Sequence, residues 1–300
     1  MKRNNISALK LLIVPLILGT IFFTTLSSNA PMYIIGQISG GLFLAQAFIL
    51  MHEFGHNSFF TYTKLNSFFG YLISPLTFIP FYNWEKIHTL HHDWTGFRDK
   101  DPTTEGTFAE QLNPKRMKIV NFCWKYYIPI FSMGYRFGTY WKKEKLKRFL
   151  SSEDYSKALT NINLYTSIYI FILIFNFTFF ISILPAIYIS WMITDIIMLS
   201  QHAHIEMLNS EGQEVEPLKY AKQPAYSRSI QLPFIIGKYF FCNFNYHEAH
   251  HAYPGLPCYL LSGIKVTSTN SYPLIPWLKK VKSMDGVDYI FRSSKNRDHF

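Results

Sequence analysis

Residues 163–201 read NLYTSIYIFILIFNFTFFISILPAIYISWMITDIIMLSQ, with one charged side chain, Asp195, in 39 positions. A helix rises about 1.5 Å per residue and the hydrocarbon core of a bilayer is about 30 Å thick, so close to twenty residues cross it. This block is too long for one crossing and long enough for two. Pro185 divides it into predicted spans at 163–183 and 185–201, joined by a very short turn.

Outward from this block, residues 11–26 (LLIVPLILGTIFFTTL) and 32–51 (MYIIGQISGGLFLAQAFILM) are also uncharged, which predicts two further spans at 11–27 and 32–51. The basic residues test this count, because Lys and Arg gather in short cytoplasmic loops. None lies between positions 11 and 51 or between 160 and 201, so four spans leave all 29 of them on one side. Residues 52–162 and 202–300 and both termini are then expected to be cytoplasmic. The expected fold is all-α and integral to the membrane: four transmembrane helices with a cytoplasmic helical cap, as one domain over residues 1–300.

Composition agrees. The chain of 300 residues is 49% hydrophobic, 18% aromatic and 16% charged, against roughly 25% charged for ordinary soluble domains. The net charge of +10 would suit nucleic acid, anionic lipid or an acidic partner. Its one-sided placement directs it to the cytoplasmic leaflet and whatever docks there, and leaves nucleic acid unneeded. Cys123, Cys242 and Cys258 form no C-x-x-C, so no zinc knuckle, iron-sulfur cluster or disulfide framework is implied.

Four local segments qualify this picture. Lys2, Arg3 and Lys10 before an apolar run, with Ser28 and Ala30 after it, also resemble a cleaved secretory signal, although the run is at the long end for one. Residues 68–82 are apolar but carry Pro75 and Pro80, which favours a re-entrant or interfacial segment over a span. Residues 115–148 interleave bases with Trp and Tyr, the pattern of a helix lying on the membrane surface. Gly36, Gly40 and Gly41 would permit close helix contact in the second span.

Ten of the eleven histidines crowd into four segments: His52-Glu-Phe-Gly-His56, His88-Thr-Leu-His91-His92, Gln201-His202-Ala203-His204 and His247-Glu-Ala-His250-His251. Spacings of three and four put imidazoles on one helical face. An H-x3-H pair arises by chance roughly 0.4 times in such a chain and an H-x2-H-H triple roughly 0.015 times, yet the triple occurs twice. His299 stands alone in a charged tail and is given no role. Four ligands close a tetrahedral zinc, so eight or nine imidazoles suggest two ions. Imidazole suits Zn, Cu, Fe and Ni alike. A carboxylate-free set placed over hydrocarbon favours oxidation over hydrolysis, and hence two non-haem irons that use O2 as co-substrate.

The order H-x3-H, H-x2-H-H and, after another helix pair, a distant H-x2-H-H resembles the membrane fatty acid desaturase superfamily, which also includes hydroxylases and ketolases. The resemblance runs from about residue 47 to 261. HEFGH, HTLHH and HEAHH match its three boxes, and Gln201-His202-Ala203-His204 is similar to the Q-H-x-H after the last span of oleate desaturases. His92-Asp93-Trp94-Thr95-Gly96, Asp99-Lys100-Asp101-Pro102 and Tyr253-Pro254-Gly255-Leu256-Pro257 look like bacterial members.

The resemblance implies a mushroom-shaped molecule with two irons in its cap and an acyl tunnel, with residues 68–82 in the tunnel wall. The implied iron ligands are His52, His56, His88, His91, His92, His247, His250 and His251, with a ninth from His202 or His204. Glu53, Glu248, Asp195 and Gln201 are candidate hydrogen-bond supports for these ligands. The implied reaction is O2-dependent cis-desaturation of an acyl chain carried by a lipid, CoA or carrier protein. The chain is short for the superfamily and shows no fused cytochrome-like haem segment, so a separate ferredoxin or cytochrome-type donor is expected. Lys142, Lys143, Lys145, Lys147 and Arg148 could dock an acidic donor, an acyl carrier or anionic lipid. Without a retrieval signal or transit peptide, a bacterial inner membrane is preferred to the endoplasmic reticulum. The boxes leave open a hydroxylase or ketolase on a fatty acid, carotenoid or alkane, and a membrane zinc hydrolase or receptor is a rival from another class.

Overall fold

In the computed structural model, which describes residues 3–266 and 270–293, asparagine side chains cap the first two helices. Asn4 Oδ1 accepts from the Ile6 N–H at the start of α1 (Asn5–Thr25), and Asn29 Oδ1 from the Met32 N–H at the start of α2 (Ala30–Gly55). The central helix is α2, buried along most of its length from Gly36 to Phe54. A Cβ on Gly40 would run into the Phe22 ring of α1, and one on Gly41 into Ile189 across the helix. Small residues matter here because helices in lipid are held by close packing, with no hydrophobic drive between them.

The chain next turns back on itself. In α3 (Thr63–Ile73), Leu65, Phe68 and Leu72 are exposed while Asn66 and Gly70 are buried. A tight turn at Ser74–Thr77 and left-handed Phe78 (φ 58°) then lead into α4 (Phe81–Trp94). Residues 68–82 therefore double back and do not cross.

The aromatic-basic stretch is not one surface helix as the sequence suggests. It breaks into α5 (Pro114–Lys125), α6 (Ile130–Tyr135), a wide π turn at Arg136–Tyr140 and α7 (Lys143–Phe149). The first break coincides with left-handed Tyr127 and Pro129; Trp124, Arg136 and Tyr140 are buried, while Phe122, Tyr126, Tyr127 and Phe137 are exposed.

The third and fourth apolar helices are α8 (Ser152–Phe175) and α9 (Phe177–His202). Here two expectations are corrected: α8 begins at Ser152 rather than near residue 163, and the break falls at Asn176 rather than Pro185. Ser151 Oγ accepts from the Asp154 N–H, and Glu153 and Asp154 complement the helix N-terminus. Asn176 leaves helical geometry (φ −149°) and its Oδ1 accepts from the Phe179 N–H.

Pro185 stays inside α9 because α2 repairs the damage. The Ala186 N–H donates to Gln37 Oε1 at 2.9 Å, while Gln37 Nε2 and Tyr33 Oη donate to the Ser182 carbonyl at 3.0 and 2.9 Å. One amide side chain thus splints the helix where proline disrupts its ladder.

After α9 come β1 (Ser229–Gln231), α10 (His247–Ala252), α11 (Cys258–Leu261), β2 (Ser271–Pro273), α12 (Leu274–Lys282) and α13 (Gly286–Phe291). The strands pair in parallel with Ser229 opposite Ser271, so the fold is helical apart from this two-stranded patch. Trp124, Trp277, Val281 and Tyr289 join α5, α12 and α13 in one cluster with Leu199 at the end of α9. Four helices, α1, α2, α8 and α9, are long and apolar enough to cross a membrane. His299 lies outside the described residues.

Candidate metal centre

The last turn of α2 presents His52, and His56 follows it directly. His88, His91 and His92 share a face of α4, His202 ends α9, and His247, His250 and His251 lie on α10. These four elements bring nine imidazoles together in two groups. His52, His56, His88, His92 and His250 form one group, and His91, His202 and His251 the core of the other. His247 joins the second, with its Nε2 2.9 Å from that of His202 and 3.0 Å from that of His251. In the first, the Nε2 atoms of His56 and His88, His88 and His92, and His92 and His250 stand 3.1 Å apart in each pair.

Outward hydrogen bonds fix the proton on several rings. His91 Nδ1 donates to Asp101 Oδ2 at 2.6 Å, and His52 Nδ1 to Glu53 Oε1 at 3.1 Å. His202 Nδ1 donates to the Tyr226 carbonyl at 3.0 Å and His251 Nδ1 to Gln223 Oε1 at 3.1 Å. A neutral imidazole carries one N–H, so the rings of His52, His202 and His251 turn a bare Nε2 lone pair inward. Burial, followed by repulsion from neighbouring imidazoles, holds His88, His92, His247, His250 and His251 well below the ordinary histidine range, and burial takes His56 to about 3. The site is therefore a nest of imidazole nitrogens facing one another, with those of His56, His88, His92, His247, His250 and His251 held neutral by burial. His52 Nε2 is buried with no hydrogen-bond partner among the described residues. Such an arrangement is costly unless a cation fills it, so these residues fit metal ions.

The supporting contacts are themselves anchored. Asp101 Oδ1 accepts from the Thr103 N–H at 2.7 Å and from its hydroxyl at 2.8 Å. Burial opposes ionisation of Asp101, yet His91 and Thr103 keep its carboxyl below the usual range. Glu53 Oε2 accepts from the Cys258 N–H at 3.0 Å. Trp84 stacks on His88 at 4.3 Å and 18°.

Beside the histidines lies a small pocket of about 80 Å³, walled by Phe48, Phe131, Tyr135 and Met198 among others. It shares Thr103, Thr107, Phe131, Tyr135 and Ile290 with a larger cleft of about 700 Å³ whose rim includes Lys142, Lys145 and Arg148. Two of those bases are partly neutralised: Lys145 Nζ is 3.2 Å from Glu105 Oε1, and Arg148 pairs with the same carboxylate. The basic patch is thus smaller than its sequence suggests, with Lys142, Lys143 and Lys147 exposed.

A family model described as fatty acid desaturase matches residues 28–272. The chain belongs to that family. Among curated relatives it is 34% identical over 100 residues to a probable fatty acid desaturase of Sorghum bicolor, covering 32% of this chain and 25% of the relative. It is 38% identical over 82 residues to an sn-2 acyl-lipid omega-3 desaturase (ferredoxin) of Helianthus annuus, covering 26% and 18%. With a fatty acid conjugase of Calendula officinalis it shares 26% identity over 249 residues, covering 74% and 63%. The chain thus spans a quarter or less of the first two relatives and 63% of the third.

Against the expectations for a desaturase, the structure corrects four placements. His204 is not in the cluster: α9 ends at His202, Ala203 is extended, and left-handed His204 (φ 59°) turns its Nδ1 to the Asp288 and Arg292 carbonyls, each at 3.1 Å. Asp195 supports no imidazole, because its carboxylate takes the Ser132 N–H in the adjoining turn. Glu248 is buried with Oε1 unpartnered among the described residues, and its N–H donates to Ser229 Oγ at 3.1 Å. Gln201 lines the cavity with Nε2 unpartnered among the described residues, and bonds to no histidine.

Conversely, Asp101, Thr103, Gln223 and the Tyr226 carbonyl are supports that sequence reasoning missed. Asp101 had a signal, since it sits in the Asp99-Lys100-Asp101-Pro102 run following the second box. Gln223 and Tyr226 carry none; they reach the site through a turn at Tyr220–Tyr226 packed against α10.

Proposed function

We propose that the chain is an O2-dependent, two-iron fatty acyl desaturase that places a cis double bond in a chain held in the cavity beside the histidines. The carrying observation is the convergence of imidazole Nε2 atoms from four elements next to a pocket with Phe48, Phe131 and Met198 on its wall. His52, His56, His88, His92 and His250 would hold one ion, and His91, His202, His247 and His251 the other. When bound, such a pair supplies the O2-driven oxidation that removes hydrogen from a saturated hydrocarbon.

The protein's share is positioning. Asp101, Glu53, Gln223 and the Tyr226 carbonyl hold the N–H of their histidines and so aim the lone pairs. Phe48, Phe131 and Met198 present an apolar wall that excludes water and fixes which methylenes face the histidines. No side chain is required as a nucleophile. Membrane embedding with cap and termini cytoplasmic is supported by the one-sided Lys and Arg distribution. A separate ferredoxin-type donor is supported by the sunflower relative's name, and the exposed Lys142, Lys143 and Lys147 suit an acidic partner.

Gas chromatography with mass spectrometry of total fatty acids from a host expressing the chain, beside His91→Ala, tests this reading. Unsaturated products that vanish in the variant support it. The conjugase relative supports one second reading, another outcome at the same site: double-bond position separates a conjugated product from an isolated double bond, and a hydroxylated product would carry an added oxygen. Purified protein containing zinc and no iron would overturn both.

A further inference from the structure

A second cavity, of about 380 Å³, lies among the four long helices and shares no wall residue with the pocket beside the histidines. Phe23 of α1, Leu44 of α2, Ile170 and Leu173 of α8 and Phe180 of α9 stand around it. Its floor is the doubled-back turn after α3, with Leu76 and Phe78, together with Trp141. The space arises from how the helices pair. α1 packs along α2, whereas α8 leans on α4 and α7 at its cap end and on α9.

The polar groups of the floor are already paired. Tyr169 Oη donates to the Pro75 carbonyl at 2.9 Å while its ring stacks on Phe78 at 5.2 Å and 14°, and Trp141 Nε1 donates to the Phe78 carbonyl at 2.9 Å. Among the wall side chains this leaves the Thr166 hydroxyl. A buried water needs two to four polar partners, so water has nowhere to settle, and a charged or hydrogen-bonding ligand would be stranded. Empty, the space would cost its walls their dispersion contacts. Hydrocarbon is what fits: at roughly 30 Å³ for each methylene-sized group, the cavity holds about a dozen.

The entrance is apolar too, since Phe23, Ile170 and Leu173 are exposed. Phe23 and Phe180 lie close to the helix junctions at residues 26–29 and at Asn176, whereas His52 and His202 stand at the opposite ends of α2 and α9. In a bilayer the entrance therefore faces the leaflet away from the histidines.

We infer that this cavity binds the methyl end of one lipid tail, drawn from the leaflet opposite the cap, as a fixed part of the fold. The inference goes beyond the desaturase reading and needs only that the four helices cross a bilayer. The tail props α8 through Ile170 and Leu173 and the doubled-back turn through Leu76. With no wall in common with the histidine pocket, it is a packing element and not the chain that is oxidised.

The test uses the full chain in phosphatidylcholine nanodiscs holding a rising fraction of a phosphatidylcholine with a photoreactive diazirine at the methyl end of one tail. Labelled residues are located by mass spectrometry. Label on Leu76 and Phe78 is expected to level off at a low probe fraction, whereas label on Phe171 and Phe175, exposed on α8, rises in proportion to it. A probe with its diazirine beside the glycerol should miss Leu76 and Phe78. Leu76→Trp, which fills the floor, should abolish the saturable label and leave that on Phe171 and Phe175 unchanged. In detergent stripped of lipid, added phosphatidylcholine should raise the thermal midpoint of the native protein by roughly 5 °C, and that of Leu76→Trp by much less.

Floor residues that stay unlabelled, or whose label rises in proportion as on Phe171, overturn the inference. An unlabelled floor in nanodiscs that hold two copies of the chain gives the cavity to a protein contact instead. Should Leu76→Trp fail to accumulate, Leu173→Trp at the exposed rim carries the same expectation, and undiminished floor label in that variant overturns the site. None of these readings needs turnover, so a protein that binds the tail but yields no unsaturated product refutes the desaturase reading and leaves the lipid site standing.

Discussion

Asp101 reaches the site through one short contact, Oδ2 to His91 Nδ1 at 2.6 Å, and the rest of its carboxylate is held by Thr103. Asp101→Asn keeps the shape but lets the amide present a donor where His91 needs an acceptor. Loss of such a support typically costs ten- to a hundredfold in metal affinity or activity. We expect that loss for Asp101→Asn, read as iron per chain against added chelator. His202→Ala and His204→Ala should part company in the same assay. The first removes a ring from the cluster and lowers metal content, whereas the second removes contacts outside it, to the Asp288 and Arg292 carbonyls and the Tyr289 ring, and leaves metal content at the native level. Equal loss in both would refute the placement of His204. The histidines were readable in advance because spacings of three and four need only a helix to share a face. Asp101, Gln223 and the Tyr226 carbonyl were not, since a partner chosen by tertiary proximity leaves no periodic trace.

At the scale of elements, the four apolar helices were legible from charge-free runs, but the junction between the last two was not. Proline often marks a helix end, but Pro185 does not, and Gln37 takes up the Ala186 N–H and Ser182 carbonyl beside it. Asn176, an unremarkable residue in sequence, makes the actual turn by capping α9. Gln37→Leu should therefore leave a donor and an acceptor unpaired in apolar surroundings, at a cost of about 1–2 kcal/mol. Reversible unfolding in mixed detergent micelles measures it, and a variant as stable as the native protein would show that the splint is idle. Gly40→Leu should cost about 1–3 kcal/mol by forcing α1 off α2 at Phe22.

For the whole molecule, the decisive fact is that the histidines come from α2, α4, α9 and α10, elements far apart in sequence. Ions bound there would staple the end of the membrane helices to the cap. An ion that binds only the folded state stabilises by about 3 kcal/mol at a hundredfold excess over its Kd. Stripping metal should lower the midpoint of thermal unfolding by roughly 5–10 °C and re-addition of ferrous iron should restore it, as followed by intrinsic Trp fluorescence. An unchanged midpoint would mean the imidazoles are held together by protein packing alone. The aromatic-basic stretch shows the limit of pattern reading at this scale. Its girdle-like composition pointed to a lipid surface, and the stretch divides: Phe122, Tyr126, Tyr127 and Phe137 stay exposed, whereas Trp124 and Tyr140 are buried, Trp124 against residues of α12 and α13.

The connection between α8 and α9 is a single residue, Asn176. Two helices joined so tightly cannot be threaded into a bilayer one after the other, since the first would have to wait at full depth with its far end tethered to a segment still outside. If both cross a bilayer, they should enter it as one hairpin during synthesis. A translation-arrest series that stops the ribosome progressively later should accordingly show α8 and α9 gaining resistance to alkaline extraction together, in a single step.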